Sequence, residues 1–101
     1  MASGVDRIDY ATLAVSSSAV NLVDNASPTL PARANRMFIT CETQAVRWRT
    51  DGTAPTVTEG HVLAANDSIS FTGIIYRQLL EKIQFIATAA GDGALKITYF
   101  D

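Results

Sequence analysis

The chain has one cysteine, Cys41, and one histidine, His61, in 101 residues. A single cysteine cannot form an internal disulfide, so stability has to come from a hydrophobic core, as expected of a domain made in a reducing cytoplasm. Cys41 ends the run Arg36-Met37-Phe38-Ile39-Thr40-Cys41, where a small apolar side chain suits a strand. One histidine leaves Ser-His-Asp or Cys-His chemistry with a single base, and the flanking Gly60 and Val62-Leu63 carry no nucleophile motif. A zinc site would need carboxylates to complete it, and these are scattered. No apolar run approaches the roughly 20 residues that cross a bilayer. Residues 1–7 lack the apolar stretch of a signal peptide, so a soluble product is expected. Without a secretory route the Asn-x-Ser matches at Asn25 and Asn66 carry no meaning.

Charge is also sparse. Ten acidic and eight basic residues leave a formal net charge of −2, too little to steer a polyanion. Neither nucleic acid nor a membrane is an expected partner. Arg33, Arg36, Arg47 and Arg49 are opposed locally only by Glu42. They read as solvated strand faces, with a docking surface for an acidic partner as the functional alternative. Asp51, Glu59, Asp67 and Asp92 fall mostly in turns, where aspartate serves the backbone. Glycoside hydrolysis would need two such groups across a deep cleft, and calcium would need an Asp-x-Asp-x-Asp run that is missing. Gly91-Asp92-Gly93 lacks the following Lys-Ser or Lys-Thr of a phosphate loop. The expected catalytic, cofactor-binding and metal residues are therefore none.

What the chain does have is apolar residues, 48% of the total, arranged with a period of two. Ala11, Leu13 and Val15 alternate with Tyr10, Thr12 and Ala14. Val20 and Leu22 flank Asn21. The stretch from Asp24 to Ala34, with Pro28 and Pro31, reads as a loop crossing between sheets or edges. Residues 37–42 form a β-rich run. Val46 and Trp48 share one face while Arg47 and Arg49 take the other, which makes Trp48 the best single core candidate and separates it from the arginines that would complete a base-stacking platform. Phe38, Phe71 and Phe85 are expected to join it, because many of the remaining apolar residues are small alanines. A loop from Asp51-Gly52 to Gly60 precedes His61-Val62-Leu63. Asn66-Asp67 turns the chain into Ser68-Ile69-Ser70-Phe71, with the serines outward. Ile75, Leu79 and Ile83 recur at fours and suggest a short helical connection near residues 75–82. Ile83, Phe85 and Ala87, then Leu95, Ile97 and Tyr99, flank Ala90-Gly91-Asp92-Gly93, a strong hairpin signal.

About eight short strands at 8–12-residue spacing predict an all-β chain, an antiparallel β-sandwich or jelly roll, with an N-terminal arm over residues 1–9 and a single domain over 10–101. A domain of this size buries roughly two thirds of its unfolded surface. A core this thin is often helped by subunit contacts, so a dimer or trimer is expected over a monomer.

The stretch Ala45-Val46-Arg47-Trp48-Arg49-Thr50-Asp51-Gly52-Thr53-Ala54-Pro55-Thr56, followed in order by Gly60-His61-Val62-Leu63, Asp67-Ser68-Ile69 and Leu95-Lys96-Ile97-Thr98-Tyr99-Phe100, resembles small structural proteins of tailed bacteriophages. These are β-sandwich or jelly-roll accessory proteins, some of them head decoration or cement proteins. The resemblance covers roughly two thirds of the chain, from about Arg36 to Phe100, and residues 1–35 carry no motif that matches. It implies a non-enzymatic virion protein, made in the host cytoplasm, that binds the major capsid protein and reinforces the shell. It implies no catalytic residues. Edge strands would allow pairing with a neighbour. The alternatives are a phage tail or fibre accessory protein and a carbohydrate-binding module. The last would need exposed aromatics, for which Tyr10, Tyr76 and Tyr99 are the candidates, Tyr99 weakened by sharing a face with Leu95 and Ile97.

Overall fold

A computed structural model describes residues 7–71, 77–88 and 93–100. Eight strands occupy them: β1 (Arg7–Val15), β2 (Val20–Asn21), β3 (Arg36–Glu42), β4 (Val46–Arg49), β5 (His61–Leu63), β6 (Ser68–Phe71), β7 (Gln84–Ala87) and β8 (Gly93–Phe100). A six-residue helix, α1 (Arg77–Lys82), precedes β7. The strands form two four-stranded antiparallel sheets, ordered β1-β8-β3-β6 and β2-β7-β4-β5. The chain is a β-sandwich, and its winding is that of a jelly roll. β1 pairs with β8, β2 with β7, β3 with β6 and β4 with β5, as if one long ladder were folded at its middle and rolled up. The roll closes through β3–β8 and β4–β7.

Winding of this kind overturns one expectation. β7 and β8 flank the Asp-Gly signal but do not form a hairpin with each other, because β7 lies in the second sheet and β8 in the first. Each run carries an apolar inner face, and those faces meet across the core while the backbone edges find partners far away in sequence. Of the predicted turn Ala90-Gly91-Asp92-Gly93, the first three residues lie outside the described residues, as do Ile75 and Tyr76, and Gly93 is the first residue of β8. The proline-bearing loop does cross between sheets, from β2 to β3.

Alternation sets the core. Ala11, Leu13 and Val15 from β1, Met37, Ile39 and Cys41 from β3, and Leu95, Ile97 and Tyr99 from β8 are all buried. Val46 and Phe85 face them from the second sheet, and Leu22, Leu80 and Ile83 close the ends from the connections. Phe38, expected inside, is outside and 38% exposed. The strand offers two faces, and the one holding Phe38 also holds Arg36 and Glu42. Burying those charges would cost more than exposing one phenyl ring, so the register puts Met37, Ile39 and Cys41 inward. Trp48 is on the inner face as expected but is only half-buried, packed against the core at its margin. β1 begins at Arg7, so residues 7–9 belong to a strand and not to an arm.

The winding puts short connections at one end of the sandwich and long ones at the other. At the short end, residues 43–45 link the sheets through a γ-turn in which Gln44 N–H donates to the Glu42 carbonyl at 2.8 Å with Thr43 at φ 69°. Asn66 takes φ 70° in the β5–β6 turn, a conformation asparagine tolerates better than most residues. The Cys41 backbone bonds that turn in both directions, to the Asp67 carbonyl at 2.9 Å and the Asn66 N–H at 2.8 Å.

Candidate functional site

Two surfaces have the residues to do something. The first is a shallow cleft of about 350 Å³ at the long-loop end, lined by Arg49, Thr50, Asp51, Glu59, Gly60 and His61. Arg47 builds its wall: Nε donates to the Val57 carbonyl at 3.1 Å and Nη1 to the Gly60 carbonyl at 2.7 Å, drawing the loop back over β4. Gly60 makes that possible, since its φ of 134° excludes other residues and a Cβ would stand 3.2 Å from the Trp48 carbonyl. Arg49 holds Asp51 through two of its guanidinium nitrogens, Nε donating to Oδ1 and Nη2 to Oδ2. That contact, with the Thr53 N–H, keeps the Asp51 carboxyl below the usual carboxylate range.

His61 gains no catalytic partner here. Its ring stacks on Trp48 with centroids 4.6 Å apart, and Trp48 meets Phe71 edge-on at 5.3 Å. These three rings form an aromatic seam between the edge strands β5 and β6, with the inward side packed on the core. No group of three His, Cys, Asp or Glu side chains among the described residues is placed to hold a metal ion. Cys41 is buried, and burial, with Asp67 and Glu42 nearby, pushes its thiol up. That keeps it protonated and unreactive at neutral pH.

The second surface is the outer face of the first sheet. Its register lays side chains in rows across the strands. One row runs Tyr10, Thr98, Phe38, Ser70, and the next runs Thr12, Lys96, Thr40, Ser68. Phe100 and Arg36 begin a row beyond Phe38, and Ala94 and Glu42 lie past Lys96. Tyr10 is 53% exposed, so two large rings stand on open sheet about two strand spacings apart, near 10 Å. Phe100, half-buried, is diagonal to Phe38 around Thr98.

Beside this face the sheet edge is closed. Thr12 exchanges backbone bonds with Ser27 at 3.0 and 2.8 Å, and the Asp9 carboxylate accepts from the Tyr10 N–H at 2.8 Å. Both cover the outer edge of β1, the longest strand, where an incoming strand would otherwise pair. The face is therefore the open surface of this sheet, more than its β1 edge.

Comparison with protein-family models, curated proteins and solved structures gives no match.

Sequence reasoning placed Tyr10 on the surface and Tyr99 inside, as they are found. Of the aromatics named for sugar stacking, Tyr10 is on the outer face, Tyr99 is buried, and Tyr76 lies outside the described residues. It missed Phe38 as a surface residue. The signal was available, because Phe38 alternates in phase with Arg36 and Glu42. None of the described helices is long and apolar enough to cross a membrane.

Proposed function

We propose that the chain is a non-enzymatic virion structural protein of a tailed bacteriophage, a head decoration or cement protein that binds the major capsid protein and reinforces the shell. The observation that carries the reading is the outer face of the first sheet. Tyr10 and Phe38 stand exposed on a rigid platform with hydroxyls and few charges between them, the composition of a contact surface with an aromatic centre and polar rim. The winding supports it by fold-level analogy, since jelly rolls recur in viral capsid and lectin domains. A lattice of identical sites would then add many modest contacts through multivalency.

Reconstitution tests the proposal. Purified protein mixed with undecorated heads of the phage that encodes it should bind saturably, in fixed ratio to the major capsid protein, and raise the temperature at which the heads rupture. No binding to heads at any maturation stage overturns it. Gold-labelled protein found on tails by electron microscopy would instead assign it as a tail or fibre accessory.

A further inference from the structure

We propose that the cleft between the end of β4 and the start of β5 is a binding site for a neutral sugar, a single hexose-type ring of a glycan held through its hydroxyl groups. The site belongs to the second sheet, apart from the outer face of the first, so it does not depend on the assembly reading.

The cleft is built before any ligand arrives. Arg47 ties the Val57 and Gly60 carbonyls to β4, and Thr56 and Glu59 exchange backbone bonds at 2.9 and 3.3 Å. Glu59 and His61 are thereby held in the same cleft as Arg49, Thr50 and Asp51. Walls formed in advance spare a ligand the cost of ordering a loop. The volume of about 350 Å³ is near the lower end for small-molecule sites, which suits one sugar ring better than a peptide.

Donors and acceptors decide the class of ligand. Arg49 gives Nε and Nη2 to Asp51, which uses only part of the donor set of a guanidinium. The pair therefore sets spare N–H groups beside carboxylate lone pairs, and Glu59 adds a second carboxylate to the same cleft. An anion only accepts, and it would meet two carboxylates against one arginine. An ammonium only donates, so it would leave the Arg49 donors unused and meet their charge. A hydroxyl does both, and neighbouring hydroxyls on a ring can bond the acid and the base together. His61 supplies the flat surface. Its ring rests on Trp48 with centroids 4.6 Å apart, and the residue is exposed, so the face away from Trp48 is open to the C–H side of a sugar ring. Aromatic surface with a few convergent polar groups is the usual make-up of a small-ligand site.

The chain has one tryptophan and one histidine, so the Trp48 indole and the His61 ring each give an unambiguous NMR signal at the site. Titration of the full chain with the methyl glycosides of glucose, galactose, mannose and N-acetylglucosamine, to about 100 mM, tests the proposal. At least one of them should shift both signals saturably, with a dissociation constant of about 1–10 mM, the range open to so small a ligand on a shallow site. Glu59→Gln and His61→Ala should each weaken that binding at least about threefold, the second read on Trp48 alone. Tyr10→Ala, on the outer face of the first sheet, should leave it unchanged. Glu59, His61 and Tyr10 are all exposed, and circular dichroism with thermal unfolding verifies that each variant folds. No saturable shift with any of the four glycosides overturns the proposal. Tighter binding of N-acetylneuraminic acid or of lysine methyl ester, the anionic and cationic probes, overturns it too, as does binding indifferent to both cleft substitutions. A chain that binds a glycoside but ignores heads would sink the decoration reading alone, and one that binds heads but no glycoside would sink the sugar site alone.

Discussion

Thr43 is the residue at which local chemistry and fold disagree most. A β-branched side chain rarely adopts positive φ, yet Thr43 sits at φ 69° in the turn that carries β3 of one sheet into β4 of the other. Strain of this kind costs on the order of 1–3 kcal/mol. Glycine would relieve it and lose about 0.5–1 kcal/mol in chain entropy. Relief wins, so Thr43→Gly should raise the unfolding free energy by about 1 kcal/mol, read from the urea midpoint at unchanged m-value. An equal or lower midpoint would mean that the Thr43 hydroxyl bond to the Glu42 carbonyl offsets the strain. Nothing in the sequence marks this position, because a γ-turn at a threonine breaks the turn preferences. The core positions were legible for the opposite reason. Alternation in β1, β3 and β8 assigns inside and outside to every residue, and even Phe38 followed that rule once Arg36 and Glu42 were allowed to decide the face.

Elements were legible one at a time, and their partners were not. Strand existence follows from period two, and β5, β6 and β8 lie where the pattern puts them. Pairing depends on which edges meet after the chain rolls, and Asp92-Gly93 suggested a hairpin that the two sheets do not form. Gly93 illustrates the difference. It is the first residue of β8, and its need for glycine is spatial: a Cβ there would stand 2.9 Å from Val46 Cγ1 and 3.1 Å from the Gln44 carbonyl oxygen. The methyl can yield, but the backbone oxygen is held in the link between the sheets. Gly93→Ala should therefore destabilise by about 1–3 kcal/mol, the usual range for overpacking. A double-mutant cycle locates the strain. Val46→Ala alone leaves a cavity and costs stability, but combined with Gly93→Ala the loss should be smaller than the sum of the two. Simple additivity would show that the two side chains do not compete for space.

At the scale of the whole molecule, the thin core contains acids that must stay protonated. Tyr99 is fully buried, and its hydroxyl finds no hydrogen-bond partner among the described residues. Burial, with Asp9 nearby, pushes its phenol well above the ordinary value of 10.0. Burial does the same to Cys41, whose ordinary value is 9.0. A raised value in the folded state means that the unfolded chain releases its proton first. The stability contributed by the neutral group is therefore complete below the unfolded value and is lost as pH climbs toward the folded one. Loss should begin near pH 9 through Cys41 and steepen near pH 10 through Tyr99, with each group adding a slope of up to about 1.4 kcal/mol per pH unit. Urea midpoints measured from pH 8 upward, to about pH 12, read this directly. Tyr99→Phe separates the contributions. It removes an unpaired buried hydroxyl, which costs about 1–3 kcal/mol, so at neutral pH the variant should be at least as stable as the parent. It should also lose the steeper limb above pH 10 and keep the shallower one from Cys41. A variant that retains the full alkaline slope would show that the Tyr99 phenol ionises as readily folded as unfolded, and the two sheets would then have to admit water between them.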